Sequence, residues 1–149
     1  MNTITIEGGN ASQKDKVFSL TQFCIKKLMP RMRSLDINIK LTRLGKEANG
    51  YCLRQTDREF ELEIDSRLTL RTMLETVAHE MVHVKQYARR EMNDFAFKEV
   101  HYKWKGKLVP DSTDYWDLPW EIEANGREVG LFIRWCEQAG YGDKAWANI

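Results

Sequence analysis

The sequence is short of four things, and each shortage narrows what the chain does. Net charge is nearly absent: 23 Lys and Arg stand against 22 Asp and Glu, a formal +1. Such a balance gives no general reason to expect nucleic acid as the partner. No run approaches the ~20 apolar residues of a membrane span. Cysteines are three and widely spaced, Cys24, Cys52 and Cys136, with no CxxC pair. An odd, scattered set reads as free thiols in a reducing compartment, so a cytoplasmic location is expected. The N-terminus has no basic segment leading into an apolar one, so secretion is not indicated. Internal repeats, low-complexity tracts and linkers rich in Pro, Gly or Ser are also missing.

What is present suits one folded domain spanning 1–149. The chain has 149 residues, 42% hydrophobic and 30% charged. A chain of this length buries roughly 68–70% of its unfolded surface and needs no covalent staples. Ile4 and Ile6 alternate with threonines and predict a first strand, ended by Gly8-Gly9. Ser12 followed by Asp15 reads as a helix start, with Val17, Leu20, Cys24 and Leu28 at helical spacing and Pro30 as the stop. Ile37, Ile39 and Leu41 share one face of a strand over Asp36 to Thr42. Tyr51 to Arg54 and Arg58 to Asp65 read as a hairpin. A long helix is expected from about Thr69 to Arg90, with Leu70, Met73, Leu74, Val77, Met81 and Val84 as its apolar stripe. From Glu91 to Pro119 the pattern is irregular, with a possible hairpin about Lys105-Gly106 between Val100 and Val109 and a loop over Asp111 to Trp116. Pro119 suits the first turn of a last helix reaching about Ala139. The fold class that follows is α+β.

The long helix carries His79-Glu80-Met81-Val82-His83. Residues four apart lie on one helix face, so the two imidazoles converge on a single point. Neutral imidazole is a good ligand for Zn²⁺, and a catalytic zinc takes three protein ligands and a water. Glu80 sits about 100° around the helix from His79, beside the metal rather than on it, where a general base belongs. The bland alternative, two core histidines flanking a surface glutamate, does not account for the whole H-E-x-x-H pattern on an apolar helix.

A third ligand has to come from elsewhere. A further histidine six residues on is excluded, because Arg89 stands there and Gln86 replaces the glycine of that pattern. Glu121, His101 and Glu123 remain. Glu121, Ala124, Asn125 and Glu128 share a face of the last helix, and Glu123 points roughly the other way. Glu121 is therefore preferred, with Asn125 as a side chain able to orient a ligating imidazole. Read plainly, this segment is also an acidic helix start favoured by the helix dipole.

His79-Glu80-x-x-His83 followed by Glu121-x-x-Ala124-Asn125 resembles the gluzincin zinc metallopeptidases. Its Glu-x-x-Ala-Asn form is most similar to the ImmA/IrrE family. It also resembles small phage and bacterial metallopeptidases that pair an HExVHVxQ helix, here His79 to Gln86, with a PWExEA segment, here Pro119 to Ala124. The resemblance implies a minimal zincin fold: a small mixed sheet with an edge strand packed on the metal helix, and a C-terminal ligand helix. It implies a zinc-dependent endopeptidase acting on protein or peptide, with His79, His83 and Glu121 as ligands and Glu80 as base. It implies a substrate-binding edge strand before the metal helix, expected at Arg58 to Asp65. An oxyanion donor is also implied, for which Tyr115, Tyr102 and Arg127 are candidates.

Two other readings stay open. In SprT-like proteases, which act on DNA-bound proteins, a later histidine completes the site. His101, in the basic aromatic run Val100 to Lys105, would then be the third ligand. Residues 11–34 carry six Lys/Arg against one Asp, and residues 111–128 six Asp/Glu against one Arg. That asymmetry reads equally as internal complementarity. The last reading is a zinc-binding interaction domain without catalysis. Trp104, Trp116 and Trp120 read first as packing anchors.

Overall fold

The computed structural model describes residues 1–96 and 100–148, the side chains of 94–96, 100 and 101 excepted. Strand β1 (Thr3–Glu7) leads through helix α1 (Ala11–Leu28) to β2 (Asp36–Thr42). Then come β3 (Gly50–Arg54), β4 (Glu59–Asp65) and helix α2 (Leu70–Ala88). Strands β5 (Met92–Ala96), β6 (Val100–Trp104) and β7 (Lys107–Val109) precede helix α3 (Pro119–Ala139). The first four strands form a mixed sheet in the order β1-β2-β4-β3, and the last three an antiparallel sheet. The α+β class holds.

One face of the mixed sheet is apolar because its side chains alternate. Ile37, Ile39 and Leu41 of β2 and Phe60, Leu62 and Ile64 of β4 are all buried. They meet Val17, Leu20, Cys24 and Leu28 of α1 and Met73, Val77, Met81 and Val84 of α2 in one core. The opposite face carries Lys40 and Glu61, 3.0 Å apart across the strands. Helix α2 is the central element: α1, α3, β3 and β4 all pack on it. Among the described residues no helix is long and apolar enough to cross a membrane.

Several boundaries differ from expectation. Asn10, not Ser12, caps α1: its side chain accepts from the Gln13 N–H at 2.8 Å, and Gln13 accepts from the Asn10 N–H at 2.9 Å. That reciprocal pair satisfies two otherwise orphaned donors, so it wins over a lone serine. Strand β5 (Met92–Ala96) lies where an irregular stretch was expected, whereas the expected hairpin between Val100 and Val109 is present as β6 and β7, turning at Lys105 (φ 48°) and Gly106 (φ 85°). Two successive positive φ values are what a tight hairpin turn of matching twist requires. Within the expected loop, Tyr115–Asp117 forms a 3₁₀ turn capped by Asp114.

The substrate-strand expectation needs correcting. Arg58 to Asp65 is not an edge: β4 lies between β2, parallel to it, and β3, antiparallel to it. The open edge beside α2 is β3. The alternating pattern of Phe60, Leu62 and Ile64 shows that one face is covered, but it is the same for an inner and an outer strand. Asn49 C=O accepts from Asp65 N–H at 2.9 Å, and Gln55 N–H donates to Glu59 C=O at 2.8 Å. Alternate residues of an antiparallel strand bond to the same neighbour, so Gly50, Cys52 and Arg54 turn their backbone groups to the open edge. Gly50 also lets β3 lie close on α2: an added Cβ would stand 2.9 Å from Thr76 Cγ2 and 3.0 Å from Glu63 O.

Candidate metal centre

Thirteen residues of α2 are buried, five of them polar: Thr76, Glu80, His83, Lys85 and Gln86. Buried polar groups need partners, and four of these have them. The Thr76 hydroxyl donates to Thr72 C=O at 2.7 Å. Lys85 Nζ meets Glu91 at 2.8 Å and Glu123 at 2.6 Å. Gln86 and His83 bond to each other at 2.8 Å. Glu80, 5% exposed, makes no hydrogen bond to the described residues and faces a cavity of about 730 Å³.

That cavity contains the converging histidines. Helical spacing brings the His79 and His83 rings to 4.9 Å between centroids, nearly perpendicular. Helix α3, started by Pro119, delivers Glu121 from its first turn. Glu121 Oε1 lies 3.0 Å from His79 Nε2 and 3.2 Å from His83 Nε2. One donor atom from each of the three residues lies within 4.8 Å of the others. Zinc–ligand bonds of 2.0–2.2 Å in a tetrahedron separate the ligand atoms by about 3.3 Å. The two measured separations are within a few tenths of that value. Two imidazoles and a carboxylate are also a chemically suitable donor set, so the residues fit a divalent ion such as zinc.

Both imidazoles are held from behind. His79 Nδ1 faces Glu128 Oε1 at 3.4 Å. Gln86 Nε2 donates to Trp120 C=O at 2.9 Å and to Glu123 Oε1 at 3.0 Å. Turning the amide around would set its oxygen against a carbonyl and a carboxylate, so Oε1 must face His83. His83 Nδ1 therefore carries the hydrogen and leaves Nε2 for a metal. Gln86 has no ligand or base role in the motif, although its place three residues after His83 puts it on the same face. Glu128 was visible too, one face-repeat beyond Glu121. Replacing Gln86 with methionine is expected to raise the zinc dissociation constant 10–100-fold. Competition with a chromophoric chelator measures it, and a change under twofold would contradict the orientation argument.

The other candidates fall in different places. Asn125 does not touch an imidazole: its amide donates to Glu121 C=O at 2.9 Å and to the Tyr115 oxygen at 3.4 Å. It lies one turn after Glu121 and is held by that turn. The Tyr115 hydroxyl donates to Glu121 Oε1 at 3.2 Å. Tyr102 lines the cavity with its ring 5.4 Å from that of Trp120. Arg127 is not brought to the cluster. It pairs with Glu123 at 3.2 Å, on the helix face turned away from Glu121. Glu123, the least favoured ligand candidate, is held by Lys85 and Gln86 instead. The side chain of His101 lies outside the described residues. Trp120 is buried as an anchor, whereas Trp116 is 70% exposed, edge-on to Tyr115.

The electrostatics of the cluster are those of a site that holds protons when it holds no metal. Burial opposes a charged His79, but hydrogen bonds to Glu121 and Glu128 outweigh it and raise its pKa to about 10. The same balance, with Glu121 as partner, raises His83. Burial raises Glu121 less than the two imidazoles lower it, so it stays ionised. Burial raises the Glu80 pKa from its ordinary value, against the lowering pull of His83 and His79. Tyr115 is raised by burial and by Glu121, which keeps its hydroxyl protonated.

A pH dependence follows. A raised histidine pKa stabilises the metal-free fold fully below about pH 6.5, and that contribution is lost as pH rises toward 10. Zinc competes for the same lone pairs, so its affinity should climb across that window, and binding at pH 7 should release about one to two protons. Calorimetry in buffers of different ionisation enthalpy counts them. Binding with no proton release would contradict the pairing described. No family model, curated protein or solved structure matches the chain. The site is therefore read from its own geometry, which amounts to a possible His79, His83 and Glu121 metal group.

Proposed function

We propose that this chain is a zinc-dependent endopeptidase. The observation that carries the reading is the buried Glu80 carboxylate: it makes no hydrogen bond to the described residues, faces the cavity and is adjacent in sequence to a three-donor metal group. A structural metal site needs no such group, and an unpartnered buried carboxylate is costly unless it has a task.

His79, His83 and Glu121 would hold the ion, with Glu128 and Gln86 orienting the two rings. When bound, zinc supplies Lewis acidity, acidifying a water and polarising a carbonyl. Glu80 takes a proton on its carboxylate and passes it to the leaving amine. Its raised pKa brings it nearer the neutral range in which a base works best. Tyr115 keeps its hydroxyl proton and stands beside the ligand carboxylate, positioned to donate to a developing oxyanion. Asn125 anchors that phenol. Tyr102 is the second candidate for this task. The free backbone groups of Gly50 and Cys52 on β3 bind the substrate by strand addition, holding its peptide bond over the cavity.

The direct test is hydrolysis of an unfolded protein by the zinc-loaded chain, compared with the chain after chelation and after zinc is restored. Cleavage that survives thorough chelation counts against the reading. The non-catalytic alternative predicts that zinc binds and nothing is cleaved.

A further inference from the structure

We infer that the cleft selects extended segments bearing cationic and apolar side chains and rejects acidic ones; this rests on the peptidase reading and names its substrate class. Four carboxylates line the cavity: Glu47, Glu80, Glu121 and Glu128. No Lys or Arg lines it among the described residues. A divalent ion at the metal group compensates two of the four charges and leaves a formally acidic chamber.

The nearby cations are engaged elsewhere. Lys85 is held by Glu91 and Glu123, and Arg127 by Glu123, on the far side of Gln86. Arg54, at the end of β3, pairs with Asp57, which Arg90 also meets, and lies over the Tyr87 ring at 5.8 Å. Lys85 and Arg127 therefore do not offset the carboxylates of the cavity, and Arg54 marks its cationic end.

The open strand decides where substrate side chains go. A segment paired with Gly50, Cys52 and Arg54 alternates its side chains between two faces. One set turns to the cavity, with Glu47 and Glu128 in its wall and the rings of Tyr102, Tyr115 and Trp120 beside them. Those rings accept both apolar groups and cations. The other set turns to the outer sheet face, where Tyr51 and Leu53 are 40% and 39% exposed. That face is charge-balanced, because Lys40 stands opposite Glu63 and meets Glu61 at 3.0 Å. The outer face thus offers apolar surface, and the cavity face adds rings and the uncompensated Glu47. Near a protein surface, one such contact makes lysine and glutamate differ by about tenfold in affinity.

The test uses zinc-loaded Glu80→Gln protein, which is expected to bind without cleaving. Its ligands are capped fluorescent decapeptides that differ only in having Lys, Gln or Glu at alternate positions. The expected order of affinity is Lys above Gln above Glu. The Lys-to-Glu ratio should be about tenfold or more at low salt and shrink toward unity at about 0.5 M, where screening reaches a few ångströms. The variant Glu47→Gln should narrow that ratio while zinc stays at one ion per chain. Equal binding, a preference for Glu, no binding of any peptide, or an unchanged ratio in Glu47→Gln would each overturn the inference. Cleavage by the parent chain is read separately: hydrolysis without charge order sinks only the selectivity, and charge-ordered binding without hydrolysis sinks only the peptidase reading.

Discussion

Replacing Glu80 with glutamine should abolish hydrolysis and leave zinc bound. Glutamine has the same shape and is neutral, so the cavity keeps its form. The atoms of the possible metal group belong to His79, His83 and Glu121, and no hydrogen bond joins them to Glu80 among the described residues. What is lost is the ability to take and return a proton, an effect worth 10²–10⁴ in rate. Stability should not fall. The carboxylate is buried and makes no hydrogen bond to the described residues, and burial already penalises its charged form. A neutral amide removes that penalty. The measurement is metal content by mass spectrometry alongside turnover of an unfolded protein. A glutamine variant that cleaves as fast as the parent would sink the enzyme reading.

Replacing Glu121 with alanine should cost more than 100-fold in zinc affinity, beyond the 10–100-fold typical of groups that merely orient ligands. Two imidazoles would remain, with no carboxylate to complete the set. The loss should also appear as stability: zinc at a thousand times its dissociation constant adds about 4 kcal/mol to a fold that binds it only when folded. That increment should be present in the parent and in His101→Ala, and absent in Glu121→Ala. Thermal unfolding with and without zinc reads it. If His101→Ala loses the metal and Glu121→Ala keeps it, the third ligand has been misassigned and the SprT-like reading takes its place.

Legibility differed among elements for identifiable reasons. The alternation of Ile37, Ile39 and Leu41, and of Phe60, Leu62 and Ile64, marks covered strand faces because side-chain direction follows the backbone locally. The stripe of α2 is legible on the same grounds. The position of β4 inside the sheet was not, since an inner strand with one covered face reads like an outer one. The mistaken edge strand followed from that. The tasks of Gln86 and Glu123 are hidden for a related reason. A glutamine after a metal motif looks like surface, and Glu123 reads as a less well aimed ligand candidate, until α2 and α3 press them together with Lys85. Asn125 supports the Glu121 turn and Tyr115 instead of an imidazole, because face sharing gives direction but not reach.

Local covalent geometry sets His79 and His83 on one face with Glu80 beside them, and the sequence alone determined that. A helix has the same pitch wherever it is buried. Bringing Glu121 to those rings from 42 residues beyond His79, orienting His83 through Gln86 and opening the β3 edge beside the cavity were decided only by the packing of α3, α2 and the sheet. These arrangements depend on which surfaces exclude water together, and residue spacing along the chain does not encode that.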